Sequence, residues 1–407
     1  IRLDYQQEQG FVSALPLGLN QVAVQRGLTT SGTAIFMPFR SCEVFQPGGL
    51  YYGLNAQTKH IILADRKTLK CPNGIVLGTP GSGKSFFAKR EMTNAFFATR
   101  DHILILDPEN EYTALTEQLH GQTIYLAPDS HSYLNPMDLD LSTDVGESPM
   151  LMQADFLLSQ CELMMASYGN PLMPIEKSLI DRCISLVYRD YLKNPKPENM
   201  PILGDLYQCL REQHNSRADD LATAMEIYVT GSLSYLNHRT NVDLNNRMVC
   251  YNTSKLGQGL KKLVMSNVQK HIWQRTAVNR YAGITTRIFL DEFHLLLKEP
   301  QTAAYTAEIY KRFRKWNGIP TSLTQNVKDL LDSSEIENIL ENSDFVLMLN
   351  QGASDRNILA QRLGISPQEL NHVTNSGEGE GLLFFGDKII PFEDKFPRDT
   401  QLYRVMT

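Results

Sequence analysis

Eight residues constrain this chain more than any others: Gly78-Thr79-Pro80-Gly81-Ser82-Gly83-Lys84-Ser85 fits the pattern GxxxxGK[ST] at every fixed position. The run Asn73-Gly74-Ile75-Val76-Leu77 before it reads as a buried strand, and Phe86 onward reads as a helix. Glycines let backbone N–H groups turn inward in such a loop, and the helix N-terminus adds partial positive charge, so the segment is built to hold phosphates. The sequence therefore predicts an α/β nucleotide-binding domain, with Thr79, Pro80, Gly81, Ser82, Gly83, Lys84, Ser85 and Phe86 around bound ATP. Lys84 would reach the β and γ phosphates, and the Ser85 hydroxyl would ligate Mg²⁺.

A phosphate loop needs acidic partners, and the text offers two candidates. Arg287-Ile288-Phe289-Leu290 runs into Asp291-Glu292-Phe293-His294. A carboxylate at the end of a buried strand can hold the water shell of magnesium, which is the role read for Asp291. The next carboxylate, Glu292, can polarise an attacking water. Asp107-Pro108-Glu109-Asn110-Glu111-Tyr112 also closes a strand. There Asp107 is either a turn and cap residue or, like Glu111, a carboxylate near the phosphates.

Two further residues carry alternative readings. Gln325 ends the strand Thr321-Ser322-Leu323-Thr324, and it is either a surface amide or a group that bonds the γ-phosphate or attacking water. Arg314 lies in the basic run Lys311-Arg312-Phe313-Arg314-Lys315, which is either a solvated helical face or the source of an arginine finger for a neighbouring subunit.

Along the chain, residues 1–70 read as a β-rich lead-in, with strand text at Thr33-Ala34-Ile35-Phe36-Met37 and His60-Ile61-Ile62-Leu63-Ala64. Residues 71–144 hold the first part of the core, including the apolar run His102 to Leu106, whose continuity suits a parallel sheet covered on both faces. Residues 145–240 read as an all-helical insertion. Residues 241–407 resume the core with strands at 247–252, 286–290, 321–324 and 345–349, and close on a hairpin over 381–392.

Composition narrows the function classes. The chain carries 39 basic against 45 acidic residues, a net charge of −6, which argues against non-specific DNA binding as its main business. DNA remains a possible partner that the charge does not indicate. Six scattered cysteines, with no CxxC pair, read as inert thiols in a reducing compartment. No run of 18 apolar residues exists, so no membrane-spanning helix is expected. The text opens at Ile1 without a signal peptide and enters directly into strand-like sequence, which reads as a piece of a longer protein.

Taken together, these motifs resemble the conjugative-transfer, type IV secretion ATPases of the VirB-four kind, also called TrbE-like or TraC-like. The resemblance covers nearly the whole chain. It rests on Pro38-Phe39, Tyr52-Gly53-Leu54-Asn55, the P-loop, Asp107 to Tyr112, Asn135-Pro136, Thr230 to Leu233, Asn237 to Asn241, Asp291 to His294, and Asn317-Gly318 leading to Gln325. It implies Walker A roles for Lys84 and Ser85, Walker B roles for Asp291 and Glu292, and a glutamine sensor at Gln325. Arg314, eleven residues before that glutamine, matches the arginine position of related coupling proteins. The implied fold is RecA-like, with a mostly parallel central sheet and an all-helical insertion. The implied function is an ATP-hydrolysing motor, active as a hexameric ring, for a secretion channel. It would lie in the cytoplasm against the inner membrane, with other channel and coupling proteins as partners. A large upstream domain, expected in such proteins, would carry much of the membrane-proximal contact. A DNA-pumping translocase of the coupling-protein or HerA/FtsK sort is the rival motor, and a nucleotide-dependent scaffold is the rival outside that class.

Overall fold

The computed structural model describes residues 4–23, 27–34, 42–141, 148–166, 172–298, 300–325, 334–374 and 376–407. The chain divides into two units, Ile1–Ser41 and Cys42–Thr407. Two helices are described in the first, α1 (Gln7–Ala14) and α2 (Thr30–Ala34). The strand expected over 33–37 is thus corrected in its described part. The Thr29 hydroxyl accepts the Gly32 N–H at 3.1 Å and closes a helical turn that takes in Thr33 and Ala34. Ile35 to Phe39 lie outside the described residues.

The second unit is built on one eleven-stranded sheet. Its first half contributes β1 (Leu50–Asn55), β2 (Ile61–Ala64), β3 (Gly74–Leu77), α3 (Lys84–Ala98), β4 (His102–Asp107), α4 (Thr113–Gln118) and β5 (Gln122–Tyr125). Helices α5 (Pro149–Ala166), α6 (Pro174–Val187), α7 (Arg189–Lys193), α8 (Leu203–Arg211) and α9 (Ser216–Val229) follow. Then come β6 (Met248–Asn252), α10 (Gln258–Tyr281), β7 (Thr286–Leu290), α11 (His294–Leu297), α12 (Pro300–Phe313) and β8 (Gly318–Thr324). The end supplies α13 (Ser334–Glu341), β9 (Phe345–Met348), α14 (Ala353–Leu363), α15 (Pro367–Leu370), β10 (Glu380–Phe385), β11 (Lys388–Glu393) and α16 (Gln401–Met406).

The strand order is β2-β1-β11-β10-β9-β3-β8-β7-β4-β6-β5. Every pair from β9 to β5 is parallel, and the four strands from β10 to β2 join antiparallel. The chain is therefore a mostly parallel α/β domain. Alternation along each central strand feeds two cores. Ile75, Leu77, Leu104, Leu106, Ile288 and Leu290 face the helical stretch and α10, while Val76, Ile103, Ile105 and Phe289 face α3 and α4.

Sequence periodicity does not announce α10, the longest helix among the described residues. Its buried residues include Asn267, Gln269, Lys270, His271, Thr276 and Asn279, so its apolar period is broken. Several of these find partners. Asn267 Nδ2 donates to Leu134 O at 2.9 Å, Gln269 Nε2 to Thr306 Oγ1 at 2.7 Å, and Asn279 Nδ2 to Thr286 Oγ1 at 2.8 Å. Among the described residues no helix is long and apolar enough to cross a membrane, and all six thiols are free.

A cluster of charges buried at the base of the sheet joins five segments. Glu91 of α3 accepts from Arg66 (Nη1, 2.9 Å), from Arg287 of β7 (Nη1, 3.0 Å) and from the Tyr52 hydroxyl (3.0 Å). Arg287 Nε also donates to Asp101 at 2.9 Å, and Lys67 Nζ reaches the same carboxylate at 2.7 Å. Gly74 leaves the room this needs, since a Cβ there would sit 2.4 Å from Arg66 Nη2. Removing one member strands the others in low dielectric. Either E91Q or R287M should therefore cost about 3–5 kcal/mol in urea unfolding at neutral pH. A loss within 0.5 kcal/mol, about the size of a surface change, would contradict the arrangement.

Candidate nucleotide site

Parallel strands point one way, so β3, β8, β7 and β4 all end on the same edge. Strand β8 lies between β3 and β7. The P-loop and the Asp291 carboxylate are thereby set two strand spacings apart, about 10 Å, which is room for phosphates and a cation. Glycines shape the loop where φ is positive, at Gly81 (74°) and at Gly83 (98°), the residue before α3. At Gly78 a Cβ would meet Ser82 Oγ at 2.4 Å.

Within the predicted loop the residues divide. Pro80, Gly81, Gly83, Lys84, Ser85 and Phe86 border a cavity of about 1310 Å³. Thr79 and Ser82 do not; they brace the loop. Thr79 donates its N–H (2.9 Å) and hydroxyl (3.2 Å) to Asn350 O, and the Ser82 hydroxyl donates to Thr79 O at 2.7 Å. Lys84 folds onto its own loop, with Nζ donating to Gly78 O (2.9 Å) and Thr79 O (3.3 Å). Burial lowers its pKa, against the pull of Glu292, Asp291 and Glu111.

Asp291, Glu292 and Gln325 border the same cavity. Phe293 N–H bonds Leu323 O, so the chain turns sharply after β7, and Glu292 takes a left-handed φ of 45°. That turn places Glu292 Oε1 2.8 Å from the Gln325 Nε2 that donates to it. His294 Nδ1 lies 3.1 Å from Oε2, without the alignment of a hydrogen bond. The neighbouring carboxyls are driven apart. Burial, then the charges of Glu111, Glu292 and Asp107, pushes Asp291 up to about 8. Burial also acts on Glu292, but His294, Lys84 and Gln325 outweigh it and hold that carboxyl below its ordinary value.

The other predicted residues part company with this group. Asp107 is a cap: its carboxylate accepts the N–H groups of Glu111 and Tyr112, each at 3.0 Å. Glu109, Asn110 and Glu111 are the members of that box that border the cavity. Arg314 sits exposed just before β8, seven residues of strand from Gln325, or roughly 23 Å, and donates to Cys71 Sγ at 3.4 Å. It does not reach its own chain's cavity. Asn237, Thr240 and Asn241, which carry part of the resemblance, stitch loops together. Asn241 Oδ1 accepts from Tyr133 N–H and the Thr240 hydroxyl from Asn135 N–H, each at 2.8 Å, while Asn237 Oδ1 accepts from Gly204 N–H at 2.7 Å.

Sequence reading missed Lys89, the loop Gly377-Glu378-Gly379-Glu380, and Phe396, Arg398, Tyr403 and Arg404, all of which border the cavity. The repeated glycines at 377 and 379 were a usable signal. The tail had none, because it arrives from more than 300 positions away.

Magnesium fits the groups present. Among the described residues no three His, Cys, Asp or Glu side chains form a metal cage. Magnesium keeps several waters, however, and asks for one or two carboxylates plus phosphates, which Asp291 and the Ser85 hydroxyl can complete. The raised Asp291 pKa has a sign that can be tested. With metal removed by EDTA and nucleotide by dialysis, the folded state holds a proton there that the unfolded chain releases near 3.8. Its stabilising contribution is full below about 4 and lost as pH rises through about 8, at a slope near 1.4 kcal/mol per pH unit. D291N should flatten that segment of the stability profile. An unchanged slope would place the titration elsewhere.

Comparison with known proteins agrees with this geometry. A model of the TraG P-loop domain matches residues 61–376. Among curated proteins, none matches the sequence. VirB4 of Thermoanaerobacter pseudethanolicus aligns with a TM-score of 0.77 at 23% identity, over 87% of this chain and 98% of that one. The plasmid coupling protein TrwB in complex with ADP and Mg²⁺ aligns at 0.57 and 13% identity, over 89% and 96%. TrwB with the non-hydrolysable ATP analogue ADPNP gives 0.56 and 12%, over the same shares. At these identities the likeness is one of fold, a RecA-like P-loop NTPase. The family match takes in the P-loop, the carboxylate pair and Gln325, and the chain belongs to the TraG P-loop domain family.

Proposed function

We propose that this chain is the ATP-hydrolysing motor of a type IV secretion or conjugative-transfer channel. The observation that carries the reading is the meeting of Lys84, Asp291, Glu292 and Gln325 in one cavity of a TraG-family domain. In this reading the loop amides and the N-terminus of α3 hold the triphosphate. Lys84 exchanges its bonds to Gly78 O and Thr79 O for the β and γ phosphate oxygens. Ser85 and Asp291 would hold magnesium, whose charge would offset that of the transferring phosphoryl group. Glu292, kept ionised by its neighbours, orients and deprotonates the attacking water. Gln325, bonded to Glu292, is placed to register whether the γ-phosphate is present.

The finer assignments rest on the same reading. Residues 71–144 and 241–407 form the RecA-like core, 145–240 the all-helical insertion and 1–70 the lead-in. The motor works as a homo-hexamer with secretion-channel and coupling proteins at the inner face of the membrane. Arg314, remote from its own cavity, serves a neighbour's γ-phosphate.

K84A should abolish hydrolysis with an unchanged thermal transition, and normal turnover would sink the P-loop assignment. E292Q should keep ATP affinity and lose about 10²–10⁴ in kcat. Loss of binding instead would make Glu292 a structural or metal-binding group. Specific activity should rise with protein concentration. R314A should remove that rise, and mixing R314A with E292Q protein should restore part of it by reuniting intact half-sites. No recovery in co-assembled rings would take Arg314 out of the trans role. Strong stimulation of ATPase activity by single-stranded or duplex DNA would favour the translocase over the channel motor.

A further inference from the structure

The cavity at the P-loop, about 1310 Å³, is larger than the several hundred Å³ of most small-molecule pockets. Its lining holds two kinds of chemistry. Lys84, Asp291, Glu292 and Gln325 are one set of lining residues, and Phe86, Phe396 and Tyr403 are another. These three rings form a single half-buried group. Phe86 lies 6.0 Å from Phe396 and 5.6 Å from Tyr403, centroid to centroid, and Phe396 and Tyr403 are near-parallel, 17° apart in plane at 6.5 Å.

The group is held from behind. The Arg90 guanidinium sits 4.4 Å from the Phe396 ring centroid and is itself paired with Asp394 at 2.7 Å. Helix α16, which carries Tyr403, is pinned where Lys89 Nζ donates to Met406 O at 2.7 Å in buried surroundings. The aromatic group is thus part of a fixed wall.

Phosphate chemistry sets the direction of a ligand in this cavity. The γ end must face the carboxylates and Gln325, so the nucleoside extends the other way. Phe86 follows Ser85 directly, so through it the aromatic group adjoins the phosphate loop. We infer that Phe396 and Tyr403, together with Phe86, form the wall on which the planar base of the nucleotide stacks. The inference rests on the nucleotide-binding reading of the P-loop. It gives the C-terminal segment a binding role that no motif in it announces.

The test compares two ligands on the full chain by calorimetric titration in magnesium buffer. ATP carries a base, and inorganic tripolyphosphate does not. The double variant F396L/Y403L keeps apolar bulk and removes both π-faces. It should bind ATP roughly 5- to 150-fold more weakly, the range for loss of one base–aromatic stack, and tripolyphosphate as well as the parent does. Y403F, which keeps the ring, should restore the affinity lost in Y403L. Unchanged ATP affinity in the double variant overturns the inference. Equal weakening for ATP and tripolyphosphate also overturns it, since the rings would then support the loop and not the base. K84A serves as the separate control: it should weaken both ligands, and tripolyphosphate binding indifferent to it would overturn the P-loop reading itself.

Discussion

Glu91 stands two turns into the helix that begins at the P-loop, and its carboxylate accepts from Arg66, Arg287 and Tyr52 where water does not reach. Those donors belong to the turn after β2, to β7 and to β1. A charge taken out of water is tolerated only when its partners are in place, so these segments assemble together or not at all. The consequence reaches the site. Arg287 lies on β7 four residues before Asp291, which directly follows that strand, and Glu91 lies seven after Lys84 on the same helix. Fixing one to the other at the base of the sheet fixes the spacing of lysine and carboxylate at its edge.

At that edge the parallel register does the rest. Leu77 stands beside Thr324 and Leu290 beside Ser322, so the residues that follow emerge at nearly one level. Asp291 and Glu292 are chain neighbours, yet they titrate in opposite senses because their surroundings differ. One is buried among carboxylates, and the other is met by an amide, an imidazole and an ammonium group. A carboxylate binds a cation only when deprotonated, so a magnesium ion at Asp291 would have to displace the proton that burial among carboxylates retains there.

Several residues of the motifs that carry the resemblance serve the scaffold. Asp107 satisfies backbone N–H groups at the start of α4, and Thr240 and Asn241 stitch the loop at 131–138 to the chain returning from the helical stretch. Side-chain oxygens at chain turns cap and bridge as readily as they catalyse. A short polar motif therefore does not by itself distinguish the two uses.

The P-loop, the carboxylate pair and the apolar central strands were legible in the sequence because each is a local pattern. A fixed spacing bends the backbone around phosphate, and continuous apolar runs ask for a sheet covered on both faces. Helix α10 was not legible, since its buried amides and lysine break the period, and their partners lie on other elements. The aromatic group lining the cavity was hidden for the same reason: Phe86 and Tyr403 are 317 positions apart and meet only when α16 packs near α3. Sequence by itself determined which residues can hold phosphate. Only the tertiary structure decided which groups face them, because strand order and the docking of a distant tail depend on contacts that no local pattern encodes.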